Sequence, residues 1–191
     1  MNSNLGNFKL YNALQSTCSQ RVRYTLHYKD LDFSMEILDL FSGDQLKPEY
    51  LAINPNGVVP AIDHNGKIII DSSVIIEYLE DIDQDLNPLR PRKPEECANM
   101  RAMIRYFDEV AGPSVRIPSY NMAFLPHFQS MSEQEFIAVA ESKPLRKEFL
   151  LKMGRTGFSD KDMNESTSKI KSTADRMENW LKESRGPYLL G

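Results

Sequence analysis

Four small side chains, Ser16-Thr17-Cys18-Ser19, stand between an alternating run, Phe8-Lys9-Leu10-Tyr11, and a segment of helical spacing that carries Val22 and Leu26. Hydroxyls in that place ordinarily cap a helix, accepting hydrogen bonds from the free amides of its first turn. The same amides and the helix dipole favour negative charge, so a hydroxyl there also stands where an anion is stabilised. Cys18 reads two ways: as a small packed residue, or as a thiol at a helix start, where the ionised form is favoured. Asp71-Ser72 repeats the pattern ahead of Val74, Ile75, Tyr78 and Leu79, and either residue can cap that helix. Between the two positions, Val59-Pro60 lies in the apolar run Val58 to Ile62. A cis bond before Pro60 turns the Val59 amide and carbonyl outward at a strand edge; a proline ending a strand in an ordinary turn fits as well. His27, His64 and His127 share no ligand spacing and Cys97 stands alone, so no metal site is expected. Neither a glycine-rich phosphate loop nor a serine-hydrolase elbow is present.

These positions need elements to hold them. Phe8 to Tyr11 and Phe33 to Ile37 alternate as strands, and Ser19 to Tyr28 between them is helical. Pro48 enters a short helical turn within Lys47 to Ala52. The apolar runs Val58–Ile62 and Lys67–Ile70 are joined by Asp63-His64-Asn65-Gly66, and Asn-Gly between two such runs predicts a hairpin. Ser72 to Glu80 is a helix with one buried stripe. Strand, helix, strand, hairpin, helix is a mixed sheet with helices packed on it, an α/β arrangement. Pro88, Pro91 and Pro94 then break the chain.

The remainder reads as helical. Pro94 to Val110 keeps helical steps and Gly112-Pro113 is expected to stop it; residues 113–130, rich in proline and aromatics, assign to no element. Ser132 to Glu135 is a capping box. Ser159 opens a helix whose expected core stripe is Met163, Thr167, Ile170, Ala174, Met177 and Leu181, with Gly186 expected to end it. The proposed division is residues 1–82 as one domain, 83–93 as linker and 94–191 as a helical domain.

The chain has 191 residues, 41% hydrophobic and 26% charged, which permits a sizeable core and argues against disorder as its main state. A net charge of −4 gives no general electrostatic reason to hold nucleic acid. Runs such as Ile68-Ile69-Ile70 are far too short to span a bilayer, and no charged-then-apolar leader precedes Leu5. Two cysteines make no disulfide framework, so the expectation is a cytoplasmic protein without a membrane or nucleic-acid partner.

Three segments in order, Tyr11 to Leu26, Asn54 to Ile62 and Asp71 to Leu79, resemble the soluble glutathione S-transferase family. Ser16-Thr17-Cys18-Ser19 is similar to the Ser-Ser-Cys signature of its zeta class. Met131 to Phe136 and Arg155 to Phe158 are loosely similar to the bacterial branch that includes lignin β-etherases. The resemblance implies a thioredoxin-like N-terminal domain, an all-α C-terminal domain incomplete at its C-terminus, and a homodimer with a role in detoxification.

It also implies glutathione as co-substrate. In zeta and theta relatives the activating serine corresponds to Ser16; in beta-class relatives a cysteine corresponds to Cys18, and both are present here. Val59, with Pro60, would pair through its backbone with the cysteinyl part of glutathione, and Asp71 and Ser72 would take the γ-glutamyl ammonium and carboxylate. Gln45 and Lys47 lie where relatives meet the glycyl carboxylate. A hydrophobic small-molecule electrophile would lie against the fourth helix and the stretch Tyr106 to Phe128. The energetics suit one hydroxyl. A cysteine-like thiol ionises near pH 8.5, and lowering that by about two units needs about 2.7 kcal/mol of preference for the anion. One hydrogen bond to a charged group supplies about 1.5–3 kcal/mol, and a helix N-terminus about 0.3–1 kcal/mol. The outcomes implied are transfer to an electrophilic carbon, β-aryl ether cleavage or zeta-type isomerisation; a non-catalytic scaffold is the reading of another class.

Overall fold

A computed structural model describes residues 5–184 and 186–190. The chain divides into two compact units, one up to Leu89 and one from Arg90 onward, with Ser142–Leu145 grouped with the first.

The first unit is built on β1 (Phe8–Asn12), α1 (Thr17–Tyr28), β2 (Phe33–Ile37), α2 (Pro48–Leu51), β3 (Ala61–His64), β4 (Lys67–Ile70) and α3 (Ser72–Asp81). The strand order is β2-β1-β3-β4. β1 runs parallel to β2, with Leu10 opposite Met35, and antiparallel to β3, with Leu10 opposite Ile62. Asn65 and Gly66 both take positive φ, 54° and 83°, as the tight turn from β3 to β4 requires. Alternation along β1 sends Phe8 and Leu10 to one face, against Val22, Leu26, Ile75 and Leu79. Tyr11 goes to the other face, against Leu38, Tyr50 and Val59. This is the α/β arrangement that the strand and helix order predicts, and it fits the thioredoxin-like domain that the family resemblance implies.

The ion pair Lys29–Glu80 of this unit is buried. Lys29, at the end of α1, is fully buried; its ammonium donates to Glu80 Oε2 at 2.9 Å and to the carbonyls of Asp83 and Leu86 at 3.0 and 2.7 Å. Glu80 in turn accepts from the Leu89 amide. The group of contacts ties α1 and α3 to the segment that leaves the unit.

The second unit is helical: α4 (Pro94–Tyr106), α5 (Gly112–Ser119), α6 (Leu125–Gln129), α7 (Glu133–Glu141), α8 (Lys147–Met153) and α9 (Asp160–Glu183). Gly112-Pro113 does not stop the first of these. Helical backbone continues from α4 through α6, with π-helical turns at Phe107–Ala111 and Tyr120–Phe124. Each wide turn stands just ahead of a proline, Pro113 or Pro126. In the π turns the Gly112 amide donates to Phe107 O and the Leu125 amide to Tyr120 O, one residue further back than in an α-helix. The proline ring clashes with the carbonyl four residues back in a regular helix, and widening the turn ahead of it relieves that crowding. This is also why residues 113–130 give no clear pattern in the sequence.

The α9 seam also differs from the expected stripe. Thr167, Ala174 and Leu181 are exposed, while Ser166 and Thr173 are buried, flanked by the half-buried Met163, Ile170, Met177 and Trp180. The two buried hydroxyls are satisfied: Ser166 donates to the Ser114 carbonyl, and Thr173 donates to Lys169 O and meets the Tyr106 hydroxyl at 3.1 Å. Small side chains let α9 lie close to α5, so the seam follows size rather than apolarity. The helix ends at Glu183, before Gly186, where Ser184 turns extended. The remaining core gathers Phe128, Phe136, Ala140, Leu150, Met153 and Phe158. Ser132 and Glu135 close a reciprocal capping box ahead of α7. No helix among the described residues is long and apolar enough to cross a membrane.

Candidate functional site

Ser16 is the N-cap of α1. Its backbone is extended and its Oγ accepts from the Ser19 amide at 3.2 Å. A hydroxyl has two acceptor lone pairs and one donor hydrogen, so capping leaves the hydrogen to point elsewhere. Cap and thiol activation are therefore compatible in one side chain. Of the neighbours, Thr17 is exposed and Ser19 is fully buried, with its Oγ lacking any hydrogen-bond partner in the structure. Cys18 is a free, half-buried thiol on the first turn of α1. Full burial sets Ser19 apart, while Ser16, Thr17 and Cys18 keep exposed or half-buried side chains.

The N-terminus of α3 lies beside α1. Asp71 caps it, with Oδ1 accepting from the Ser73 and Val74 amides at 2.9 and 3.2 Å. Asp71 holds φ at +71°, an uncommon and costly conformation for a non-glycine residue. Ser72 is buried, and its Oγ accepts from Arg21 of α1, with Nε at 2.9 Å and Nη2 closer still. A guanidinium carries only donors, so the Ser72 hydroxyl is fixed as an acceptor on that side and turns its own hydrogen away. Arg21 thus links the starts of the two helices that carry Ser16 and Ser72.

The third side is built from the loop before β3. The Val59–Pro60 peptide is cis. Just ahead of it, the Val58 carbonyl accepts from the Tyr50 hydroxyl at 2.8 Å and from Asn54 Nδ2 at 2.7 Å. Burial pushes the Tyr50 phenol well above its ordinary ionisation range, so it stays a donor. Gly57 packs against the turn Asp44–Leu46: a Cβ there would stand 3.0 Å from Leu46 Cδ2 and 3.5 Å from the Gln45 carbonyl. Gln45 is itself buried and its Oε1 has no partner. Lys47 pairs with Asp44 at 2.7 Å; the contact raises the lysine and lowers the carboxyl from their ordinary values.

Helical spacing along α1 leaves Arg21, Arg23 and Lys29 available to water; instead Lys29 is fully buried against Glu80, and both arginines reach back into the fold. Nothing in the spacing marks them, because their partners, Ser72 and the turn Asn12–Leu14, are side-chain and backbone oxygens far away or uncharged. In the second unit the stretch Tyr106 to Phe128 is divided. Phe128 is core. Tyr106 packs edge-on against Trp180, with Arg176 over both rings, and lines a cavity of about 680 Å³ that Met103 and Leu190 also border. Among the described residues no cluster of His, Cys, Asp or Glu is placed to hold a metal ion.

Comparison with known proteins agrees with this fold. Residues 15–82 match the family model described as glutathione S-transferase, N-terminal domain. The chain is 31% identical over 185 residues to the protein LigF of Sphingobium sp., spanning 95% of this chain and 71% of that protein. Glutathione S-transferase 1 of Dianthus caryophyllus is 44% identical over 90 residues, 47% of this chain and 40% of that one. Among solved structures, the β-etherase LigF from Sphingobium superposes with a TM-score of 0.84 at 30% identity, covering 95% of this chain and 78% of that chain. Glutathione transferase F2 from Populus trichocarpa gives 0.69 at 25%, covering 94% and 72%. The chain belongs to the glutathione S-transferase family.

Proposed function

We propose that this chain is a glutathione-dependent transferase whose first unit binds glutathione and whose Ser16 hydroxyl favours the thiolate. Bound glutathione supplies a sulfur nucleophile for attack on an electrophilic carbon of a hydrophobic small molecule. The observation that carries the reading is the geometry of Ser16, whose oxygen is engaged by the helix while its hydrogen is left to donate. The residues present fit a γ-linked tripeptide. Ser72, its hydroxyl turned donor by Arg21 at the start of α3, suits the γ-glutamyl carboxylate. Asp71 suits the ammonium. The Val59 backbone, beside the cis bond, suits the cysteinyl amide. Gln45, on the turn Asp44–Leu46, suits the glycyl carboxylate through the N–H groups of its side-chain amide. Lys47 suits the glycyl carboxylate.

Similarity to LigF over nearly the whole chain favours β-aryl ether cleavage as the reaction. The Ser-Thr-Cys-Ser turn, with 39% identity over 94 residues to a probable maleylacetoacetate isomerase of Caenorhabditis elegans, favours a zeta-type isomerisation instead. Both use the same activated thiol. As in the family, the acting form is a cytoplasmic homodimer.

Calorimetry tests the reading. Wild type, Ser16→Ala and Cys18→Ala are titrated with glutathione between pH 5.5 and 8.5 in buffers of different ionisation heat. Wild type is expected to bind and release a proton near neutral pH. Ser16→Ala is expected to bind without release, and Cys18→Ala to behave as wild type. Proton release lost in Cys18→Ala instead would move the role to the thiol. Absence of binding at millimolar glutathione would remove the transferase reading and leave the scaffold one.

A further inference from the structure

Ser16 hangs on a short turn. Its amide donates to the Ala13 carbonyl at 3.1 Å, closing residues 13–16 between β1 and α1. Leu14, in the middle of that turn, is 60% exposed, so packing does little to fix it. What holds the turn comes from the helix it leads into. The guanidinium of Arg23, in the second turn of α1, reaches back to three acceptors on three successive residues: Asn12 Oδ1, the Ala13 carbonyl at 3.4 Å and the Leu14 carbonyl at 3.3 Å. Asn12 is fully buried at the end of β1, and its Nδ2 contacts Met35 Sδ of β2 at 3.7 Å. Each backbone contact is long and weak alone. A planar fork, however, fixes its acceptors relative to one another in a way that a point charge does not. The Ala13 carbonyl accepts from both Arg23 and Ser16, so turning that peptide breaks two bonds together and carries Ser16 off the start of the helix.

We propose that Arg23 is a positioning residue for thiol activation: it locks the turn Asn12–Leu14 so that the Ser16 hydroxyl hydrogen is aimed at the sulfur. The inference rests on the proposed role of Ser16. It predicts a separation between ionising the thiol, which depends on the aim of one hydrogen, and holding the rest of the tripeptide, which depends on α3 and the loop before β3.

The test measures bound thiolate by its ultraviolet absorbance against pH in wild type, Ser16→Ala, Arg23→Met, Arg23→Lys and the double variant Ser16→Ala/Arg23→Met. Affinity for S-methylglutathione, which has no thiol to ionise, is measured in parallel. Arg23→Met is expected to raise the pH at which the bound thiol ionises by about one unit, a tenfold loss of thiolate below it, with S-methylglutathione affinity unchanged within about twofold. Arg23→Lys is expected to fall between, since it keeps the charge but not the fork. The double variant is expected to match Ser16→Ala. The inference is overturned if Arg23→Met ionises the thiol like wild type, if its shift adds in full to that of Ser16→Ala, or if S-methylglutathione binding falls in step with thiolate. If Arg23→Met does not fold, Arg23→Lys is judged by the same criteria. If wild type itself fails to lower the thiol, the role of Ser16 falls and this inference with it. A lowered thiol in wild type that ignores Arg23 removes this inference alone.

Discussion

At the scale of single residues, the site depends on which lone pairs and hydrogens the fold has already used. Ser16 and Ser72 each spend an oxygen on the scaffold, one on a helix amide and the other on Arg21, and keep a hydrogen for a ligand. Ser19, three residues from Ser16, spends nothing: its hydroxyl is buried with no partner. An unsatisfied buried hydroxyl costs about 1–3 kcal/mol of desolvation. Ser19→Ala is therefore expected to leave stability unchanged or raise it, read as an equal or higher urea midpoint, whereas Ser16→Ala is expected to lower stability by about 1 kcal/mol through the lost cap. A Ser19→Ala protein that unfolds more easily than Ser16→Ala would show that the burial of Ser19 has been misjudged.

At the scale of elements, the first unit is fastened by charge inside and hydrogen-bonded caps outside. Lys29 and Glu80 are 0% and 3% exposed, and every partner they need is supplied by α1, α3 and the segment after them. Removing one member strands a buried charge, which typically costs about 3–5 kcal/mol, while replacing both with apolar side chains costs far less. Lys29→Met alone is thus expected to destabilise the unit severely and Lys29→Met/Glu80→Leu to recover most of the loss, measured by urea unfolding followed by circular dichroism. Equal losses in the single and double variants would mean that the carbonyls of Asp83 and Leu86, rather than the ion pair, carry the fastening.

At the scale of the whole molecule, pH acts on many such contacts together. The carboxyls of Asp44, Glu135 and Asp162 are each held below their ordinary values, chiefly by side-chain hydrogen bonds from Lys47, Ser132 and Lys152 respectively. When a folded carboxyl titrates below its unfolded counterpart, its contribution is complete above the ordinary carboxyl range and is lost as pH falls through that range to the folded value. Protonation also removes negative charge from a chain with 23 Lys and Arg and 27 Asp and Glu, leaving it strongly positive and self-repelling. The urea midpoint is expected to be steady from neutral pH down to about pH 5 and to fall steeply toward pH 3. Glu135→Gln with Asp162→Asn is expected to flatten part of that fall, because these groups cap α7 and α9; an unchanged slope would assign the acid sensitivity to net charge alone.

Local signals determined much of this protein. The Asn65-Gly66 turn, the alternation of Phe8, Leu10 and Tyr11, the cap at Ser16 or Asp71 and the capping box at Ser132 are all short-range: backbone geometry and adjacent amides decide them, so neighbouring residues suffice to read them. The order of strands and helices along the N-terminal half followed from those signals; the family came from the resemblance of Tyr11 to Leu26, Asn54 to Ile62 and Asp71 to Leu79, and the sheet order β2-β1-β3-β4 from the structure. Contacts between distant residues were decided only in three dimensions. No pattern in α1 marks Arg21 as the partner of Ser72, 51 positions away, and nothing local says that Ser166 and Thr173, not Thr167 and Ala174, face inward. Helical steps place residues on a face, but the closeness of a neighbouring helix chooses which face is core, and small hydroxyls with satisfied hydrogen bonds can win that place over apolar side chains. Gly112-Pro113 illustrates the same limit: proline locally disfavours a regular turn, yet the helical backbone continues past it with a widened turn ahead of the ring instead of ending.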